Sequence, residues 1–202
     1  MSKGLKITLI ITAVAAAVIF GFYSFFAGSY NGMVKAEEGV KAAWSQVENV
    51  YQRRMDLIPN LVQTVKGYAS HESKVFTDIA EARAKAGGTV QVSDEVLNNP
   101  ESFAKFQKAQ SELGSALQRL LVITENYPAL KANQNFMDLQ AQLEGTENRI
   151  AVERKRYNET VQAYNTMIRM FPKSIIANMS GFTAKPYFTA DENASKAPEV
   201  KF

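Results

Sequence analysis

The sequence has 202 residues, of which 46% are hydrophobic, so its length fits one domain with a real core plus appendages. Its 23 Lys and Arg residues exceed its 20 Asp and Glu residues by three, and Lys3 and Lys6 account for two of these charges. The near balance elsewhere excludes a basic surface of the kind that binds nucleic acid. Cysteine is absent, which excludes disulfides, thiolate metal sites and a cysteine nucleophile.

The N-terminal segment is the first predicted element. No charged residue lies between Lys6 and Lys35, and Ile7 to Gly28 is almost continuously apolar. This length suits a helix that spans a bilayer and exceeds the apolar region of about 7 to 15 residues in a cleaved signal peptide, which is the alternative. We expect residues 1–29 to form a short cytoplasmic N-terminus and a transmembrane anchor, with the following domain outside the cytoplasm because of the basic N-terminal flank.

A single apolar stripe with heptad spacing runs from Met33 to Ala86. Pro59 does not disturb its register, and no Gly or Ser cluster beside the proline favours a turn. The pattern therefore predicts one helix of about 80 Å, kinked at Asp56 to Asn60. Shorter helices cannot cover a stripe of that length, which favours self-association into a homo-oligomer.

The sequence Ala86-Gly87-Gly88-Thr89 predicts the end of this helix, followed by a polar loop up to Leu97. Asn98-Asn99-Pro100-Glu101 predicts a new helix start, with an Asn cap and proline in the first turn. Heptad stripes from Phe103 to Tyr127 and from Phe136 to Met167 predict two further long helices. They should be antiparallel because the connection between them is short.

After Phe171-Pro172 the sequence up to Phe188 is apolar but aperiodic, which predicts an irregular segment docked on the helices. Residues 189–202 are more polar and are predicted to form a flexible tail. The predicted fold is thus all-α: a transmembrane helix, then an elongated antiparallel helical bundle over residues 30–188, then the tail.

No catalytic, metal or cofactor site is predicted. His71 is the only histidine and lacks the second histidine of a zinc-protease motif, and no glycine-rich phosphate loop occurs. We therefore expect no cofactor and no enzymatic activity.

The charged residues inside the apolar stripes are the unusual feature. A buried charge is costly unless paired, so Arg54 is predicted to pair with Glu72 or Glu153 and to fix the register of the helices. For the charged residues, the alternatives are a binding site or catalytic carboxylates. For the aromatic residues, the alternative to core packing is a cage that binds a ligand. The line of positions along which the helices pack is called the seam below, and its candidate structural or interaction residues are Trp44, Tyr51, Arg54, Pro59, Glu72, Glu153, Tyr157 and Tyr164.

Several separated motifs resemble the LemA family of bacterial single-pass membrane proteins. They are Tyr30-Asn31, the runs from Ala43 to Glu72, Glu81 to Ala86 and Tyr127 to Asn158, and the pairs Tyr164-Asn165, Phe171-Pro172, Gly181-Phe182 and Tyr187-Phe188. The resemblance implies an N-terminal anchor and an antiparallel helical bundle, and it supplies no reaction. Together with the basic N-terminal flank, the anchor predicts a location in the bacterial inner membrane, with the domain on the periplasmic side.

These observations predict a non-enzymatic, membrane-anchored scaffold or interaction protein that self-associates through a coiled-coil-like surface. The alternative is a peptide-binding or adaptor protein that assists a membrane protease or transporter through a groove beside Pro59. The expected partners are the lipid bilayer, further copies of the chain, and other membrane proteins or peptides, but not nucleic acid.

Overall fold

The computed structural model describes residues 3–90 and 93–189. In these two ranges the regular secondary structure consists of seven helices, without a strand, which confirms the predicted all-α fold. The helices are α1 (Lys3–Lys66), α2 (Ser73–Val90), α3 (Ser93–Asn98), α4 (Pro100–Thr124), α5 (Pro128–Lys131), α6 (Gln134–Arg169) and α7 (Lys173–Met179). The predicted flexible tail lies outside the described residues, apart from Thr189.

The chain divides into two compact units, which are described separately. The first unit contains Met1–Lys41 and Gln162–Ala184, and the second contains Ala42–Val161 and Lys185–Phe202. Helices α1 and α6 each contribute residues to both units.

Helix α1 passes through Pro59, as the unbroken register predicts, but it ends at Lys66. The prediction of one helix up to Ala86 is therefore wrong. Residues 67–72 form a turn, and α2 packs back on α1, where the Nε of Arg83 donates to the carbonyl oxygen of Met55 at 3.1 Å. Val65 and Ile79 lie on either side of the turn and belong to the same core. The apolar residues therefore keep their heptad spacing in the sequence even though the chain reverses direction.

The second unit has a mainly aliphatic core that the α1–α2 hairpin shares with α4, α5 and α6. Its larger members are Met55, Ile58, Leu61, Val65, Ile79, Leu113, Leu117, Leu120, Leu130, Phe136 and Leu143. The stripe of α1 is thus covered within this unit by the chain itself. The homo-oligomer was predicted from an apolar stripe that would stay exposed, and this support is lost because the stripe is covered in the second unit. Self-association therefore stays a prediction.

The glycines at the end of α2 do not stop the helix, contrary to the sequence-based expectation. Helix α2 continues through Gly87 and Gly88 to Val90, and α3 occupies part of the predicted loop. Among the described glycines, only Gly181 has a positive φ, so neither of these two adopts the left-handed conformation that ends many helices.

The start of α4 is as predicted. The Oδ1 atom of Asn99 accepts hydrogen bonds from the backbone N–H groups of Glu101 and Ser102 at 2.8 and 3.4 Å. Pro100 occupies the first turn, where its missing N–H costs nothing.

The first unit buries residues from α1, α6 and α7, among them Met33, Val40, Tyr164, Ile168 and Ile176. Helix α7 was not predicted. It ends at Met179 and is followed by Gly181, whose φ is 76°, and the N–H of Phe182 donates back to the carbonyl of Ala177 at 3.0 Å. Within this unit the apolar side chains between Leu5 and Phe26 are exposed. Among the described helices, α1 is the one long and apolar enough to cross a membrane.

Replacing Gly88 by alanine should stabilise the protein, because alanine loses less backbone entropy in a helix and the position has open space for a Cβ atom. We expect a gain of about 0.5–1 kcal/mol, seen as a rise in Tm of roughly 1–4 °C on thermal unfolding. The control Gly181→Ala should destabilise, because alanine at positive φ is strained. A Gly88→Ala variant that melts below the parent would contradict the helical conformation of this segment.

Alkaline unfolding should depend on Tyr164. Its burial, with a smaller contribution from the Glu37 carboxylate, raises its pKa to about 12, against about 10 in the unfolded chain. The folded state therefore holds this proton more tightly, so stabilisation that is complete below pH 10 is lost as the pH rises from about 10 to 12. Tyr164→Phe should show a shallower fall of Tm over this range, and an unchanged slope would contradict the role of Tyr164.

Candidate functional site

Three of the predicted aromatic seam residues, Trp44, Tyr51 and Tyr157, pack together in the second unit. The ring centroid of Trp44 lies 5.1 Å from that of Phe106 and 5.5 Å from that of Tyr157. Phe103 and Phe188 complete this aromatic cluster. Because the burial of Tyr157 raises the pKa of its phenol, the hydroxyl stays protonated and donates to the carbonyl of Pro186 at 3.1 Å.

The returning segment is fixed beside this cluster by polar contacts. The amide side chain of Asn158 exchanges two hydrogen bonds of 2.9 Å with the backbone of Phe188. The carbonyl of Thr189 accepts from Gln107 Nε2 at 2.7 Å and from Arg154 Nη2 at 3.1 Å. In the second unit, therefore, the segment after α7 is docked as the sequence predicts.

Arg54 is buried in the second unit, with only 4% of its side chain exposed. Its Nη1 atom lies 3.1 Å from Oε1 of Glu147, and its Nη2 atom donates to the carbonyl oxygen of Gln110 at 3.2 Å and to the side-chain oxygen of the same residue. The guanidinium also lies over the ring of Tyr51, 5.0 Å from its centroid. Three helices thus supply the surroundings of one buried charge.

The predicted partners of Arg54 are wrong. Glu72 instead accepts a hydrogen bond of 3.3 Å from the hydroxyl of Tyr127, and Glu153 pairs with Arg156 at 2.8 Å. Sequence reasoning missed Glu147 because it directly follows the stripe residue Thr146 and so lies at the edge of the heptad seam. Gln110, a polar residue inside the α4 stripe, was the available signal for this polar layer.

Pro59 and Tyr164 are the remaining candidate seam residues, and His71 is the histidine for which no site was predicted. Pro59 is exposed in α1, His71 is exposed in the turn before α2, and Tyr164 belongs to the first unit, where its hydroxyl donates to the carbonyl of Thr183 at 3.0 Å. Over residues 3–90 and 93–189, no group of three or more His, Asp and Glu residues could hold a metal ion.

A pocket of about 300 Å³ lies beside Arg54. It is lined by residues of α1, α4 and α6: Tyr51, Arg54, Gln107, Gln110, Ser111, Gly114, Ser115, Gln118, Glu147, Ile150 and Arg154. Two buried donors of this lining, Nε of Arg54 and Nε2 of Gln110, have no hydrogen-bond partner. Buried donors are rarely left unpaired, which makes this pocket the candidate functional site.

The electrostatics of the pocket favour a ligand that accepts hydrogen bonds. Arg54 and Arg154 bring two positive charges against the one carboxylate of Glu147. Burial is the main cause that raises the pKa of Tyr51, while the two arginines oppose the shift, so its hydroxyl stays protonated at neutral pH. The lining therefore presents amide, guanidinium and hydroxyl donors in one place.

Comparison with known proteins identifies the family of the chain. The sequence profile described as the LemA family matches residues 43–202. The chain belongs to the LemA family. The matched range includes the whole of the candidate site, whereas the apolar N-terminal segment precedes it.

Relatives of the chain include magnetosome proteins. It is 27% identical over 191 residues to magnetosome protein MamQ of Magnetospirillum gryphiswaldense, which covers 87% of this chain and 70% of that protein. It is 28% identical over 174 residues to magnetosome protein MamQ 2 of Paramagnetospirillum magneticum, covering 79% of this chain and 64% of that protein. It is 21% identical over 171 residues to protein LemA of Metamycoplasma hominis, covering 85% and 74% of the two chains.

Removing Glu147 should cost more stability than replacing Arg54 by methionine. Glu147→Ala leaves a permanently charged, buried guanidinium with neutral acceptors only, for an expected loss of about 2–3 kcal/mol. Arg54→Met leaves a carboxylate that is 44% exposed and stays hydrated, while the methionine fills the space, so about 1 kcal/mol is expected. Urea unfolding of both variants measures the difference.

The matched control is Glu144→Ala, one turn earlier on α6, where the exposed carboxylate contacts Gln140 of the same helix. Its loss should stay below about 0.5 kcal/mol. If Glu147→Ala and Glu144→Ala unfold at the same urea concentration, the buried pair does not stabilise the fold.

Proposed function

We propose that this protein is a non-enzymatic, single-pass membrane-anchored interaction protein whose helical domain binds a carboxylate-bearing segment of a partner protein in the pocket beside Arg54. The observation that carries this function is the charge of one polar pocket, whose lining brings the guanidinium groups of Arg54 and Arg154 together with the single carboxylate of Glu147. It favours the adaptor or peptide-binding function over a scaffold that acts only through self-association.

The anchor part of the proposal is supported by the N-terminal part of α1. Its side chains between Leu5 and Phe26 are exposed and apolar, with Ile19 and Phe22 at 69% and 74%, which is unfavourable in water and favourable in a bilayer. The basic Lys3 and Lys6 favour a cytoplasmic N-terminus. On this basis we assign the protein to the inner membrane, with the domain on the periplasmic side.

The carboxylate part rests on the chemistry of the donors. A ligand that brings an ionised acceptor to the guanidinium groups of the lining forms charge-assisted hydrogen bonds, which are stronger than neutral ones. A carboxylate does so, and the positive charge of Arg154 at the edge of the pocket attracts it. Glu147 repels a second negative charge, which limits the ligand to one carboxylate at this point.

The test uses the full chain in lipid nanodiscs and two acetylated, amidated pentapeptides that differ only in a central Glu or Gln. Binding of the Glu peptide should shift the side-chain NMR signals of Gln110 and Arg54, and the Gln peptide should bind at least tenfold more weakly, about 1.4 kcal/mol. Equal affinities for the two peptides would overturn the carboxylate site.

Two tyrosine substitutions on α4 provide matched variants. Ser115→Tyr narrows the pocket and should weaken the Glu peptide at least tenfold, whereas Val122→Tyr, at an exposed position of the same helix outside the pocket, should leave its affinity unchanged. Light scattering of the protein in detergent separates the competing function. A defined multimer that binds neither peptide would support the self-associating scaffold instead.

A further inference from the structure

A second exposed apolar surface lies in the first unit, at the junction of α6 and α7. Phe171 is 82% exposed and Met179 is 75% exposed, as much as side chains of the apolar α1 segment, and Met170 and Ile175 are also exposed. These four residues are called the α7 patch below. Large apolar side chains grouped in this way mark a surface that contacts something other than water.

The α7 patch adjoins the apolar segment of α1. Within the first unit an apolar groove of about 500 Å³ is lined by Val18, Gly21, Phe22 and Phe25 of α1 and by Pro172 of the α6–α7 turn. Pro172 therefore lies beside the second half of the segment from Ile7 to Phe26. At 1.5 Å per residue, Val18 to Phe25 covers roughly 10 Å at the domain end of the span.

The charges around the α7 patch suit the surface of a bilayer. From Gln162 to Ala184, the part of the first unit that carries the patch, the sequence contains no Asp or Glu, whereas it contains Arg169 and Lys173. Arg169 and Lys173 flank the turn on either side. Long basic side chains at the edge of an apolar surface reach toward lipid headgroups while their stems stay in the apolar region.

Most backbone N–H groups of the α6–α7 turn have hydrogen-bond partners, as insertion into a bilayer requires. The N–H of Met170 donates to Thr166 at 3.1 Å, and the N–H groups of Ser174 and Ile175 donate to Met170 and Pro172 at 2.8 and 3.2 Å. Pro172 has no N–H to satisfy. A turn of this kind enters the interfacial region of a bilayer without leaving many unpaired groups there.

We infer that the α7 patch is a second membrane-contact element, which inserts into the leaflet on the domain side beside the α1 span. Phe171 and Met179 lie at the acyl-chain boundary, and Arg169 and Lys173 lie at the headgroups, with anionic lipid favoured. The inference rests on the membrane anchor of the proposed function. It adds that the domain is held against the bilayer at two places rather than by one helix alone.

The absence of cysteine allows a direct test. Four single-cysteine variants carry a nitroxide label: Phe171→Cys and Met179→Cys in the α7 patch, Ile19→Cys in the span, and Val152→Cys as an exposed apolar control in the second unit. The full chain is reconstituted in phosphatidylcholine vesicles with a minor share of phosphatidylglycerol. Power-saturation spectroscopy then compares the accessibility of each label to oxygen, which enters lipid, with that to a water-soluble nickel chelate.

For the labels at positions 171 and 179, we expect a ratio of oxygen to nickel accessibility severalfold higher than for the label at position 152. The ratio should approach the value for the label at position 19. A ratio at 171 and 179 equal to that at 152, with 19 still lipid-exposed, overturns the inference and leaves the anchor intact. Labels at 171 and 179 that neither reagent reaches indicate a protein partner and also overturn it. A water-exposed label at 19 instead refutes the anchor of the proposed function.

Discussion

The buried guanidinium of Arg54 constrains the packing of the second unit. Arginine stays charged at any relevant pH, so its burial in α1 is tolerable only if neighbouring helices supply acceptors. Gln110 of α4 and Glu147 of α6 do so, and the ring of Tyr51 covers the guanidinium. Sliding any of these three helices by one turn removes an acceptor, so the contact defines their register.

The polar contact lies between two apolar layers. Along α1 the order is Trp44, Arg54, Ile58, and along α4 it is Phe106, Gln110, Leu113, so in both helices aromatic residues precede the polar position and aliphatic residues follow it. Helix α6 carries the reverse order, Leu143, Glu147, Tyr157, as an antiparallel neighbour must. The pocket beside this middle layer is lined by two guanidinium groups and one carboxylate, so its charge favours an anionic ligand.

The two proposed contacts of the protein use different physics. The pocket beside Arg54 recognises a ligand through directed hydrogen bonds and charge, which gives specificity at a cost in desolvation. The α7 patch contacts lipid through apolar area and unspecific basic charge, which gives attachment without recognition of a particular molecule. A protein with both properties combines attachment to a membrane with recognition of a partner.

Local features were readable from the sequence, whereas contacts between distant residues were not. The cap at Asn99 and Pro100 and the passage of α1 through Pro59 depend on a few neighbouring residues and on stripe register, so the sequence alone determined them. The sequence pattern did not predict the chain reversal at residues 67–72. Val65 and Ile79 lie in one core on either side of the turn, and their spacing in the sequence also fits a single uninterrupted helix. The partner of Arg54 lies 93 positions away, and only the tertiary register of α6 against α1 could choose Glu147 over Glu72 and Glu153.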